Sequence, residues 1–229
     1  MTSEAGCTAC RAMLDLLSTH ECLGCANGGA APDPTAVLCA DCAGELSGGL
    51  KELPTRHTLL ARAWALGAYS GVIGTLVRRA KFNLDLRAVD VLVEHFATAL
   101  SCGSLPHADA VVFLPTTPWR LMWRGFHLPE RLAEAACAAT GAPLVPALRR
   151  RWGLPQARRS HAERLAAGAD LFAVARPLTG TVLLVDDVLT SGASMHAAAA
   201  EVLAAGADRV SCLVLAAAGP LRRVHVGFS

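Results

Sequence analysis

The sequence predicts an α/β fold, a mostly parallel sheet flanked by helices, with a small cysteine-rich segment ahead of it. Three observations carry that prediction. Apolar runs of strand length alternate with helix-period segments from about residue 60 onward. Six of the nine cysteines fall in the first 42 residues, as three pairs. A length of 229 residues suits one core with an appendage better than two full domains. The expected division is 1–57 for the appendage and its linker and 58–229 for the sheet domain.

The cysteine pairs are Cys7-x2-Cys10, Cys22-x2-Cys25 and Cys39-x2-Cys42. Two residues between cysteines let one tight turn aim both thiolates at a single ion. Two such turns complete a tetrahedral site, the closed arrangement of structural zinc. Cys22, Cys25, Cys39 and Cys42 are the preferred four, because Arg11 to Leu17 reads as a short helical segment that separates the first pair. Cys7 and Cys10 stay open as substitutes for either later pair. Disulfides compete on spacing, but Met1-Thr2-Ser3-Glu4 lacks the basic start of a secretory signal, and a reducing compartment is expected. Cys102, Cys137 and Cys212 stand in apolar or alanine-rich contexts and read as small buried residues.

Past a stretch with Gly and Pro (Gly44 to Thr58), the elements follow in order. Ala63 to Tyr69 is a strand, and Val72 to Ala80 a short helix running into Arg78, Arg79 and Lys81. Ala88 to Leu100 has helical periodicity, and Ala110 to Leu114 is a strand stopped by Pro115. Leu128 to Thr140 is a helix with Gly141 placed to end it. Arg149 to Trp152, followed by Gly153 and Pro155, reads as a basic loop. Thr181 to Val185 is a buried strand, Ser194 to Ala205 a helix closed by Gly206, and Val210 to Ala216 a last strand.

Composition narrows the classes. At 53% hydrophobic, 17% charged and mean hydropathy +0.39, the chain is not a disordered one. Its longest nearly uninterrupted apolar run, Val210 to Leu221, has 12 residues, short of the roughly 18 that a spanning helix needs. A cytoplasmic location is expected, the inner face of the cytoplasmic membrane being the alternative. Net charge is only +2, yet nine arginines and three acids lie between Arg120 and Arg164. Guanidinium groups so concentrated suit phosphate, of a nucleotide or of nucleic acid, as well as a solvated basic face.

The segment from Val182 to Ser194 is the richest in chemistry. A buried strand runs into adjacent carboxylates, Asp186 and Asp187, and a Thr190-Ser191-Gly192-Ala193 loop leads into a helix at Ser194. Ligands of open α/β sheets gather beyond the carboxyl ends of the strands. Loop N–H groups, hydroxyls and the positive end of a helix make a phosphate cradle, and Gly192 permits close approach. The carboxylates, one step away, suit sugar hydroxyls. Simple helix capping accounts for one of these residues and not for the set.

This motif resembles that of the phosphoribosyltransferases, which bind 5-phosphoribosyl diphosphate (PRPP). The resemblance implies a type I phosphoribosyltransferase-like sheet, with Asp186 and Asp187 as the catalytic pair on the ribose hydroxyls. It places Thr190, Ser191, Gly192, Ala193 and Ser194 on the 5′-phosphate, and Mg(2+) with the PRPP. The order of the cysteine ribbon, Arg79-Ala-Lys81-Phe82, Arg120 to Phe126 and the acidic motif is similar to that of the ComF/ComFC competence proteins. That resemblance extends from about Arg11 to Ala216. It implies a part in DNA uptake during natural transformation, beside helicase or channel proteins of the inner membrane. Lys81, Arg120 and Arg124 would then face diphosphate, and Gln156, Arg158, Arg159 and Arg164 match a segment over the active site. Two places depart from the family pattern: His127-Leu128 stands where Asn-Gln is expected, and Ala166-Ala167 where an Asn is.

Single-stranded DNA is the expected macromolecular partner. Arg149, Arg150, Arg151, Arg158 and Arg159 form the basic run for it, and Trp119, Trp123 and Phe126 offer rings on which bases stack. The same aromatic spacing also fits a core or interface face. His127 and His161 are further candidate nucleotide contacts. Three functions stay open: a competence protein that keeps a nucleotide-phosphate pocket, an active PRPP-dependent transferase acting on a base or amine, and a non-enzymatic adaptor.

Overall fold

The computed structural model describes residues 21–25, 37–54, 59–103, 105, 107–151 and 171–219. Cys7, Cys10, Gln156, Arg158, Arg159, His161, Arg164, Ala166 and Ala167 lie outside the described residues. Seven strands are described: β1 (Lys51–Glu52), β2 (Ala63–Ala68), β3 (Ala110–Phe113), β4 (Leu148–Arg150), β5 (Phe172–Val174), β6 (Thr181–Leu189) and β7 (Arg209–Ala217). The helices are α1 (Ala40–Leu46), α2 (Gly71–Phe82), α3 (Leu86–Cys102), α4 (Pro118–Arg124), α5 (Leu128–Thr140) and α6 (Ala193–Ala204).

One sheet has the order β1-β2-β7-β6-β3, and β4 and β5 form a separate antiparallel pair. Within the larger sheet, β2, β7, β6 and β3 are parallel, and only the two-residue β1 runs against its neighbour. The expected architecture, a mostly parallel sheet flanked by helices, is the observed one.

Side-chain alternation explains why the long strands are apolar throughout. Successive residues of a strand point to opposite faces. Leu183 and Val185 of β6 therefore join Leu213 and Leu215 of β7 in one core, with Leu76, Leu92 and Leu132 from α2, α3 and α5. Val182 and Leu184 join Val210, Cys212 and Val214 in the other, with Met195 and Val202 of α6 and Phe172 of β5. β2, β3, β6 and β7 each feed both cores, so their central positions read as near-continuous apolar runs.

The cysteine segment is part of the first of these cores. Leu23, Leu38 and Leu46 pack there with Trp64 and Leu76. Across the same contact, the Val72 backbone N–H donates to Glu45 Oε1 at 2.9 Å. Ser70 precedes α2 without a side-chain cap, so the carboxylate from α1 takes that office. Gly71 has φ +56, and a Cβ on it would collide with the same carboxylate.

Four local expectations are corrected. β6 does not stop at Val185: it continues to Leu189 because Asp186, Val188 and Leu189 keep pairing with β7. Arg149 and Arg150 are not in a loop, since Leu148–Arg150 pairs with Phe172–Val174. The stretch after Pro115, to which the sequence reading assigns no element, contains a helix, α4, capped by Thr117 and ended by Gly125 at φ 72. Cys102 is exposed because it ends α3, whereas Cys212 is buried as expected.

Candidate functional site

Beyond the carboxyl ends of β3 and β6 lies a cavity of about 180 Å³. Lys81 reaches it from α2, Arg120 and Arg124 from α4, Arg150 from β4, and Asp186 and Asp187 from β6. Leu114, Pro115 and Thr116 form the strand exit of β3, and His127, Leu128 and Ser194 complete much of the wall. Residues from opposite parts of the sequence thus meet where an open α/β sheet collects its ligands.

The acid pair is split by the pleat. Asp187 turns to the α2 side, where Lys81 Nζ donates to its Oδ1 at 2.6 Å. Asp186 belongs to the alternate set of β6 and accepts at Oδ1 from the Asp187 backbone N–H at 2.8 Å. Burial, reinforced by the neighbouring Asp187 charge, pushes the Asp186 carboxyl up to about 8; the Asp187 N–H, Lys81 and Arg150 pull it down by less. One carboxylate is therefore held by an ammonium while the other keeps its proton near neutrality.

Two atoms of this wall are buried without a hydrogen-bond partner among the described residues: Arg124 Nε and His127 Nε2. Burial holds the His127 imidazole below its ordinary value; Asp187 pulls it back up and Arg124 presses it further down. Arg150 lies with its guanidinium 5.7 Å from the Phe172 ring centroid, as cation–π packing requires.

The glycine turn follows β6. Gly192, at φ 77, is the residue before α6, and no side chain caps that helix. Ser194 borders the cavity, whereas Thr190, Ser191 and Ala193 are exposed beside it. Of the proposed single-strand contacts, Arg149 and Arg151 are exposed and Arg150 is turned into the cavity wall. Trp119 and Trp123 are 70% and 58% exposed, but Phe126 packs against the core. Its place among arginines predicts an exposed His127, with nucleotide contact as the alternative; the structure instead leaves the side chain 8% exposed, a burial with no signature in the sequence. Phe172 in the wall was not anticipated, because only its pairing with β4 brings it there.

The second candidate site is the cysteine cluster. The Sγ atoms of Cys22, Cys25, Cys39 and Cys42 all lie within 4.8 Å of one another, the four preferred from spacing. Cys22 Sγ accepts from the Gly24 N–H at 3.3 Å and the Cys39 N–H at 3.2 Å. Although burial opposes ionisation, the N–H groups of Cys39, Cys25 and Gly24 and the neighbouring Cys42 thiol bring the Cys22 thiol down to about 6. Burial pushes the Cys42 thiol the other way. A Cβ on Gly24 would lie 2.7 Å from Cys42 Sγ, so the turn is closed tightly on the sulfurs. An all-sulfur donor set with N–H···S support fits a structural zinc ion, which would tie residues 22–25 to α1.

A mostly parallel α/β sheet with an acid pair and a glycine turn beside an arginine-lined cavity has the architecture of a phosphoribosyltransferase-like fold, here with a four-cysteine cluster ahead of it. The chain is similar to the competence protein ComFC of Bacillus subtilis (strain 168). It is 25% identical over 198 residues, covering 86% of this chain and 77% of that protein. The resemblance to the ComF/ComFC proteins is thus borne out. No family model matches the chain. Among solved structures, the glutamine PRPP amidotransferase of B. subtilis, complexed with ADP and GMP, is similar at TM-score 0.41 and 21% identity, over 56% of this chain and 26% of that one. The purine phosphoribosyltransferase of Pyrococcus horikoshii Ot3 is similar at TM-score 0.29 and 14% identity, over 65% and 93%. The chain spans about a quarter of the amidotransferase. Among the described residues, no helix is long and apolar enough to cross a membrane.

Proposed function

We propose that this chain is a ComF-type protein of DNA uptake that binds a phosphoribosyl-diphosphate-like ligand in the cavity and single-stranded DNA beside it. The observation that carries the reading is the cavity wall itself. Lys81, Arg120, Arg124 and Arg150 meet Asp186 and Asp187 there, and two wall atoms lack hydrogen-bond partners among the described residues. The carboxylates suit ribose hydroxyls and the arginines suit phosphate oxygens. Magnesium would arrive on the diphosphate. Arg149 and Arg151, exposed at and just past the end of β4, and Trp119 and Trp123, exposed on α4, supply cations and rings of the kind that follow a single strand. The competence relative supports the uptake setting, with inner-membrane helicase or channel proteins as partners.

Transfer of the phosphoribosyl group to a base or amine is the second reading, favoured by the retention of both acids at the cavity. Calorimetric titration with magnesium and PRPP tests the pocket. Saturable binding that Asp186→Asn with Asp187→Asn abolishes is expected, and an unchanged dissociation constant in the double variant overturns the assignment. Diphosphate release with a screened base would establish transfer. Single-strand affinity should fall steeply with salt, since released counterions scale with the phosphates contacted.

A further inference from the structure

We propose that His127 is a direct ligand contact which, together with Arg124, clasps one oxygen of a diphosphate group in the cavity. The inference rests on the phosphate-pocket reading and assigns a specificity-determining residue within it.

His127 stands at the start of α5, ahead of Pro129, and its main-chain carbonyl accepts from the Glu130 and Arg131 N–H groups. Its ring meets Phe113 of β3 edge-on, with centroids 5.2 Å apart. The side chain is only 8% exposed, and Nδ1 lies 3.8 Å from Glu130 Oε2. The main-chain carbonyl and the ring have partners and Nδ1 faces Glu130 beyond hydrogen-bond distance, while Nε2 is left buried and unpaired among the described residues. Arg124 Nε, three residues earlier at the end of α4, is in the same state. Buried polar atoms are nearly always satisfied, and two orphans on one cavity wall point to a shared missing partner.

The chemistry of that partner is constrained. A guanidinium Nε–H donates and never accepts, so the partner offers a lone pair. That excludes an ammonium group. The groups facing His127 set its charge: Arg124 from α4, Glu130 from its own helix, Asp187 from β6, and Lys81 from α2 through its pair with Asp187. Around the cavity, Lys81, Arg120, Arg124 and Arg150 stand against two carboxylates. One carboxylate is paired with Lys81 and the other is held largely protonated, which leaves an excess of positive charge. An acceptor carrying several negative charges, a diphosphate, fits better than a carboxylate or a neutral base.

A neutral imidazole with its proton on Nε2 donates to the bound oxygen. Protonation keeps that bond and gives Nδ1 a proton to offer Glu130. A bound anion favours the imidazolium, so affinity gained through His127 grows as pH falls through its value. Asp186 and the diphosphate titrate as well, and comparing the wild-type protein with His127 variants at each pH separates their share.

The test uses the full chain, inorganic diphosphate as probe, calorimetry and nitrogen spectra of the histidine rings. Diphosphate should move the His127 ring-nitrogen resonances towards the imidazolium form, Nδ1 most of all, since Nε2 already carries the proton of the neutral ring. His127→Phe, which keeps the aromatic packing, should weaken diphosphate about tenfold or more near pH 6. His127→Gln, whose amide nitrogen reaches the place of Nε2, should recover most of the loss. If wild type binds diphosphate but His127→Phe binds equally well, the inference is overturned whether or not the resonance moves, and the pocket reading stands. If wild type binds no diphosphate across neutral and acid pH, the pocket reading fails. Should His127→Phe not fold, a wild-type resonance unmoved at saturation overturns the inference alone.

Discussion

Lys81 Nζ lies 2.6 Å from Asp187 Oδ1 and joins the last turn of α2 to a strand 106 residues later. Both side chains are largely buried, so each neutralises a charge that the sheet would otherwise tolerate poorly. Lys81, expected from sequence to meet diphosphate directly, is first of all the partner of an acid. Lys81→Met should destabilise the fold by about 1–3 kcal/mol, a range discounted because water reaches the pair through the cavity. Asp187→Asn should cost less, since the flexible lysine can turn its ammonium into the cavity mouth. Urea midpoints at neutral pH measure both. Equal midpoints for wild type and Lys81→Met would remove the structural role of the pair.

Asp186 predicts a pH profile. Its carboxyl is raised to about 8 in the folded chain from an ordinary value near 3.8. The folded state therefore holds a proton that the unfolded state has lost across that window. Stability attributable to this group falls as pH rises from about 4 to 8 and is level on either side. Asp186→Asn should flatten the profile and raise stability at pH 8, by on the order of 1–3 kcal/mol, while weakening ligand binding. Thermal melts of both proteins at pH 5 and pH 8 decide it. A gap that does not widen with pH argues that Asp186 is already charged.

The cysteine cluster predicts a coupling between metal and main core. Leu23 and Leu46 flank the four sulfurs and pack with Trp64 and Leu76. Removing zinc with a chelator should therefore lower the melting temperature of the whole chain, not only loosen the N-terminal segment. Gly24→Ala, which brings a Cβ to 2.7 Å from Cys42 Sγ, should lower zinc content without deleting a ligand. Metal analysis and melts with and without chelator test both. One full equivalent of zinc in Cys22→Ser with Cys25→Ser would mean that Cys7 and Cys10 supply ligands.

The parallel sheet was legible because its strands, buried on both faces, are near-continuous apolar runs, as at Val182 to Val185 and Val210 to Ala216. α5 was legible to the residue, with Gly141 at φ 73 as its stop. The cysteine cluster was legible from pair spacing together with the helical segment Arg11 to Leu17 that sets the first pair apart, and the acid pair from its place after an apolar run, although the strand does not end there. Non-local pairing hid β4 and β5: nothing in Arg149-Arg150 announces a partner at Phe172. α4 was missed although Thr117-Pro118 and Gly125 are start and stop signals, since a helix that buries no residue has no apolar period. The opposed directions of Asp186 and Asp187 follow from the strand continuing past them, which depends on β7.

Trp119 and Trp123 carry the last prediction. They lie on α4, a seven-residue helix with no buried residue, each immediately ahead of a cavity arginine, Arg120 and Arg124. Large exposed rings contribute little to folding, so Trp119→Ala with Trp123→Ala should leave stability within about 0.5 kcal/mol. Stacking of bases on rings is worth about 1–3 kcal/mol per base, so single-strand affinity should fall at least tenfold if the rings serve DNA. The salt slope should stay nearly the same, because the variant removes no cation. Arg149→Ala with Arg151→Ala should do the reverse, flattening the slope while the rings remain. Fluorescence anisotropy with a labelled oligonucleotide at several salt concentrations reads both quantities. A tryptophan variant with unchanged affinity would assign these rings to a protein contact instead, and the single strand would then be held by charge alone.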